Sequence, residues 1–137
     1  MKKALIIIGI ILLVIMAAIY AVFDFFFPKA EKFDYPDYSN VQSITVIKDN
    51  QEISLSDGDT KALYEYISKA KPTRIPSIQD SPGGVPYYTI FINAENISPF
   101  GGGHIYEEGG VTYYELPYVG IYVLDANALR LLETNTD

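Results

Sequence analysis

One histidine occurs in the 137 residues, His104, and it lies in a stretch that reads as folding back on itself. The run "HIYEEGGVTYYEL", residues 104–116, places a Gly-Gly pair between two alternating segments, the signature of a two-residue hairpin turn. That register sets Glu108 opposite Val111, Glu107 opposite Thr112, Tyr106 opposite Tyr113, Ile105 opposite Tyr114 and His104 opposite Glu115. Alternation along each strand then sorts the side chains by face. Ile105, Thr112, Tyr114 and Leu116 belong to a core face, and His104, Tyr106, Tyr113 and Glu115 to the other. An imidazole, a carboxyl and two phenols on one sheet face can stack on a flat ligand and hydrogen-bond its edges. These four are the candidate ligand-binding residues. The same cross-strand pairs also stabilise sheets that bind nothing, so architecture competes with a site at every one of them.

Catalytic chemistry finds few materials. A serine triad would need His104, a carboxylate and an exposed serine, but no G-x-S-x-G occurs, and Asp80–Gly84 ("DSPGG") is a turn composition. Zinc needs at least three ligands, and one histidine with scattered carboxylates is a poor start, so no metal or cofactor is expected. Glu107, Glu108 and Glu115 could pair as glycosidase acids, but their hairpin positions read as solvated. Asp57-Gly58-Asp59 lacks the remaining ligands of a calcium loop and suits a helix start better. Phe100–His104 ("FGGGH") has no strand-to-helix context for phosphate. Asn96-Ile97-Ser98 matches a glycosylation sequon. Lys69, Lys71 and Arg74 form one basic cluster that can meet an anionic surface, although cations also suit the end of a helix.

The elements that must position these residues follow an unlike N-terminal part. Ala4–Phe23 is a run of twenty residues without a charge. As a helix it is about 30 Å long, the thickness of a bilayer hydrocarbon core. It has no polar stripe for a solvent face, so it does not read as a core helix. A cleaved signal peptide competes, but its apolar region would be about 7–15 residues with small residues at the cut. Residues 4–27 are therefore expected to be an uncleaved signal anchor in contact with the lipid bilayer. Lys2 and Lys3 before the run favour a short cytoplasmic stub, residues 1–3, with the C-terminal domain outside the cell membrane. The chain has no cysteine, which leaves neither a lipoprotein anchor nor disulfides. Setting aside Lys2, Lys3 and Asp24, the 10 basic and 17 acidic residues become 8 and 16, a net −8 that argues against nucleic acid.

Residues 28–40 read as a juxtamembrane linker, beginning with the helix-stopping Pro28. Residues 41–137 read as one extracytoplasmic domain. Val41–Ile47 alternates as a strand, Lys48–Gln51 turns, and Glu52–Leu55 returns. Ser56 or Asp57 caps a helix that presents Leu63, Tyr66, Ile67 and Ala70 on one face. Residues 72–86, with four prolines, form a long loop. Tyr87–Ala94 is a strand with Tyr88, Ile90, Ile92 and Ala94 on its apolar face. After the hairpin, Pro117 and Gly120 break the alternation, so "LPYVG" forms a corner before a last short strand. Asp125 caps a terminal helix that faces Leu129 and Leu132 inward. The order β-β-α-β-β-β-β-α gives an α+β fold, an antiparallel sheet packed by two helices.

The stretch Tyr113-x-Glu115-x-Pro117-Tyr118-x-Gly120-Ile121-Tyr122 resembles a domain-of-unknown-function family of small membrane-anchored Gram-positive bacterial proteins. Similar domains are appended to BlaR-like membrane sensor peptidases. The resemblance covers about residues 41–133 and implies an extracytoplasmic module without supplying catalytic residues. The expected role is a non-enzymatic binding or sensing domain for a peptide, a glycan or a partner ectodomain. An inhibitor or regulatory partner of a membrane or cell-wall enzyme, acting by strand addition or through the Ser77–Pro86 loop, is the alternative. A wall hydrolase ranks third.

Overall fold

The computed structural model describes residues 2–94 and 102–136. The sequon at Asn96–Ser98 and the Phe100-Gly101 start of the glycine-rich stretch lie outside the described residues. The first helix, α1, runs Lys2–Phe26 over 25 residues. It is the one helix among the described residues long and apolar enough to cross a membrane, with a mean hydropathy of 3.2 in its most apolar window and none of that window buried.

Seven strands and two further helices follow: β1 (Val41–Lys48), β2 (Gln51–Ile53), α2 (Asp57–Ser68), β3 (Lys71–Pro72), β4 (Tyr87–Ala94), β5 (Gly103–Glu108), β6 (Val111–Leu116), β7 (Gly120–Val123) and α3 (Ala126–Thr134). The strands make one antiparallel sheet in the order β2-β1-β4-β5-β6-β7-β3. The fold is thus the α+β arrangement expected, with the two-residue β3 added. Pro72 reads as a helix stop and cannot donate to a ladder, but at the sheet edge no donor is needed there.

Local chemistry explains the boundaries. Asp49 and Asn50 both have positive φ, as do Gly109 and Gly110, the backbone that a tight two-residue hairpin turn demands. Ser56 Oγ accepts from Asp59 N at the start of α2, and Asp125 Oδ1 accepts from Asn127 N at the start of α3. Both helices pack on one face of the sheet. Leu63, Ile67, Val46, Ile90, Ile105 and Leu132 are fully buried between them. In α3 the buried pair is Ala128 and Leu132, while Leu129 is half-buried.

Residues 28–40 are more than a spacer. They hold a single 3-10 turn, Tyr38–Asn40, and are otherwise irregular, yet they are fastened to the domain. Ala30 N donates to Thr73 O at 2.8 Å. Tyr122 Oη donates to Glu31 O at 2.7 Å, and Tyr64 Oη donates to Pro36 O. Ala30 and Tyr35 pack against the core. Burial, followed by the neighbouring Tyr114, pushes the Tyr35 phenol pKa far up, and burial pushes that of Tyr114 up to about 12. This segment also explains why α2 buries Tyr64, which lies off the face predicted from periodicity: Tyr35 and Tyr38 cover it with ring centroids at 6.0 and 5.4 Å.

A strapped sheet face and its cleft

The hairpin forms with all five pairs in the predicted register. His104, Tyr106, Tyr113 and Glu115 therefore share the sheet face turned away from the helices. That face is not open. The segment between β3 and β4 crosses it, leaving His104, Tyr106 and Glu115 buried and Tyr113 half-buried. Glu115 is 3% exposed, whereas Glu107 and Glu108 stand in solvent as expected.

Glu115 and His104 each have a partner from the strap. Ser77 Oγ donates to Glu115 Oε1 at 2.6 Å and accepts from Tyr118 N at 3.1 Å. The Tyr106 phenol also bonds the Glu115 carboxyl, and burial followed by that carboxyl raises its pKa. His104 Nε2 lies 2.9 Å from Asp80 O. A carbonyl only accepts, so Nε2 carries the proton, and in the neutral ring Nδ1 then accepts from Thr89 Oγ1 at 3.3 Å. Tyr87 stands edge-on to the imidazole with centroids 4.9 Å apart, and Tyr106 and Tyr113 pack tilted at 5.6 Å. Further along the strap, Thr73 binds Ile121 O through both its amide, at 3.0 Å, and its hydroxyl, at 2.7 Å. The proline-rich loop is tied down at both edges of β6.

The Ser77 hydroxyl points to Glu115 and not to the imidazole, and both imidazole nitrogens are engaged.

Next to this network lies an open cleft of about 410 Å³, lined by Asp80, Thr89, Phe91, His104, Pro117 and Tyr118 among others. Its rim is the corner between β6 and β7. Val119 N donates to Leu116 O at 3.0 Å, closing a turn with Pro117 and Tyr118 at its centre. Tyr118 has φ 61°, a left-handed conformation that is uncommon for a bulky side chain. Its ring is 66% exposed and bonds the Asp80 carboxylate, which raises the phenol pKa. Residue types alone do not announce this position, because a proline followed by tyrosine does not ask for positive φ; glycine or asparagine would.

The three basic residues do not gather into one patch. Lys69 pairs with Glu65 at 3.5 Å on the exposed side of α2. Lys71 joins it along a groove that also holds Glu65 and Asp125. Arg74 instead reaches the end of α1, where it donates to Asp24 Oδ1 at 2.5 Å and to Phe27 O and stacks over the Phe23 ring.

No match was found among curated proteins or solved structures. A family model does match, that of DUF5301, described as "Domain of unknown function (DUF5300)", over residues 29–123. The match begins with the segment that docks through Ala30 and ends with β7. It takes in the sheet, the strap and the cleft, so the chain belongs to the DUF5301 domain-of-unknown-function family.

Proposed function

We propose that this chain is a membrane-anchored, extracytoplasmic binding or sensing domain that carries out no catalysis, and that its ligand contact is the cleft bounded by Phe91 and Tyr118. The carrying observation is Tyr118, an exposed aromatic held in a strained left-handed turn by Ser77 and Asp80. Backbone strain of this kind costs free energy and persists where the surroundings over-determine it, which is typical of ligand-contacting corners. His104, Tyr106, Tyr113 and Glu115 act in this reading as the support behind the cleft. Only His104 lines it directly.

The anchor is α1, with the N-terminus cytoplasmic and the domain outside. The source is a Gram-positive bacterium, in keeping with the resemblance of Tyr113–Tyr122 to small anchored proteins and to domains on BlaR-like sensors. The ligand is a peptide or glycan segment flat enough to lie across two aromatic rings.

Titrating the isotopically labelled chain in detergent micelles with peptide and wall-glycan fragments tests this directly. Shifts are expected at Thr89, Phe91, His104 and Tyr118, and Phe91→Ala should abolish them while keeping the amide spectrum folded. Saturable binding whose shifts fall elsewhere, or survive Phe91→Ala, sinks the assignment.

A further inference from the structure

The most exposed apolar side chains of the domain gather in one region, while the less exposed Phe91, Val111 and Val123, at 42%, 36% and 38%, lie on β4, β6 and β7. Ile75 and Ile78 are 47% and 75% exposed, and Val119 is 47% exposed beside Tyr118. All belong to the strap or the β6–β7 corner, the part of the domain that touches the exit of α1. Ala30 N reaches Thr73 O, and Arg74 reaches Asp24 and Phe27. A groove of about 580 Å³ runs between the two, lined by Phe26, Phe27, Lys29, Arg74, Ile75 and Val119 among others. The Gly109-Gly110 turn lies at the other end of β6, about 20 Å away over six strand residues.

We infer that the domain docks on the bilayer that α1 spans, inserting Ile75, Ile78 and Val119 at the headgroup level. This rests on the membrane-anchored reading above. The end of α1 and the residue after it carry Phe23, Phe25, Phe26 and Phe27, rings suited to the membrane interface, and the apolar loops lie across a groove from them that also holds Lys29, Glu31 and Arg74. Exposed isoleucine and valine, rimmed by Lys29, Glu31 and an Arg74 paired with Asp24, suit the apolar-to-polar boundary of such an interface. The occupant of the groove is lipid, and the cleft beside Tyr118 opens close to the membrane surface. Its ligand is then a membrane-proximal segment.

The chain contains no tryptophan, so single-tryptophan variants of the full-length protein report cleanly in phosphatidylcholine vesicles. Ile78→Trp and Val119→Trp replace exposed side chains, Glu108→Trp marks the distal hairpin, and Val14→Trp marks the span. Brominated acyl chains should quench residues 14, 78 and 119 and spare 108, and acrylamide quenching should be roughly threefold weaker at 78 and 119 than at 108, as expected for side chains lodged at the headgroup boundary. If Val14→Trp is quenched but 78 and 119 behave like 108, docking is overturned while the anchor stands. If Val14→Trp is not quenched, the anchor and the docking fall together.

Discussion

Gly120→Ala probes whether the segment after α1 belongs to the folded domain. A Cβ built on Gly120 would come within 2.4 Å of the Ala30 Cβ. Carbon atoms in contact prefer about 3.5–4.0 Å, so the two backbones must part by more than about 1 Å. Ala30 cannot yield freely, because its own N–H bonds Thr73 O and the next carbonyl accepts from Tyr122. Overpacking of this kind costs about 1–3 kcal/mol, and about 2 kcal/mol is expected here. For a domain of roughly this size, each kcal/mol moves Tm by about 4 °C, which gives a fall of roughly 8 °C. Ala30→Gly alone should cost about 1 kcal/mol through a lost methyl and a looser unfolded chain. The double variant should also stand near 1 kcal/mol below the parent rather than near 3, because removing the Ala30 methyl removes the clash. Thermal melts of the four proteins in the same detergent, followed by tyrosine near-ultraviolet circular dichroism, measure the cycle. Strict additivity would refute the contact and return residues 28–36 to the status of a free tether.

Three further outcomes are expected. Tyr118→Gly should leave thermal stability unchanged or raised by up to about 1 kcal/mol, since it relieves left-handed strain, whereas the β-branched Tyr118→Val should lower it; the order of their urea midpoints decides. Ser77→Ala leaves the buried Glu115 short of a donor and should cost about 1–3 kcal/mol in urea unfolding, while Ser77→Thr keeps the hydroxyl and most of the stability. Burial raises the Tyr114 phenol to about 12 in the folded chain against about 10 unfolded, so its contribution is intact below pH 10 and is lost between pH 10 and 12. That loss is on the order of 2–3 kcal/mol, and tyrosinate absorbance should show a late, cooperative step coinciding with unfolding.

The hairpin was legible to the residue because two adjacent glycines allow one turn geometry, and the turn fixes the register. The faces of β4 and both helix caps were legible for similarly local reasons. What sequence could not supply was long-range cover. Tyr64 looks like a surface residue of α2 until Tyr35 and Pro36 fold back on it across 28 positions. Glu115 reads as solvated until Ser77 arrives from 38 positions away. Neither covering segment carries periodicity, since both are proline-punctuated and irregular, so nothing in their pattern marks which surface they occupy. The candidate residues were found on one face as a result, but the open cleft at Phe91 and Tyr118 was not.

The bond from Tyr122 to Glu31 joins residues 91 positions apart, and the segment after α1 that it holds lies against the last strands of the sheet. Glu31 lies near the start of the folded domain and Tyr122 in its last strand. Most strands can add in chain order, but β3 and the segment at Glu31 must wait for β7, because both depend on contacts of high sequence separation. Until β7 forms, one edge of β6 and the whole of β3 are unpaired. Formation of β7 thus completes the sheet and fastens the segment after α1 in one step.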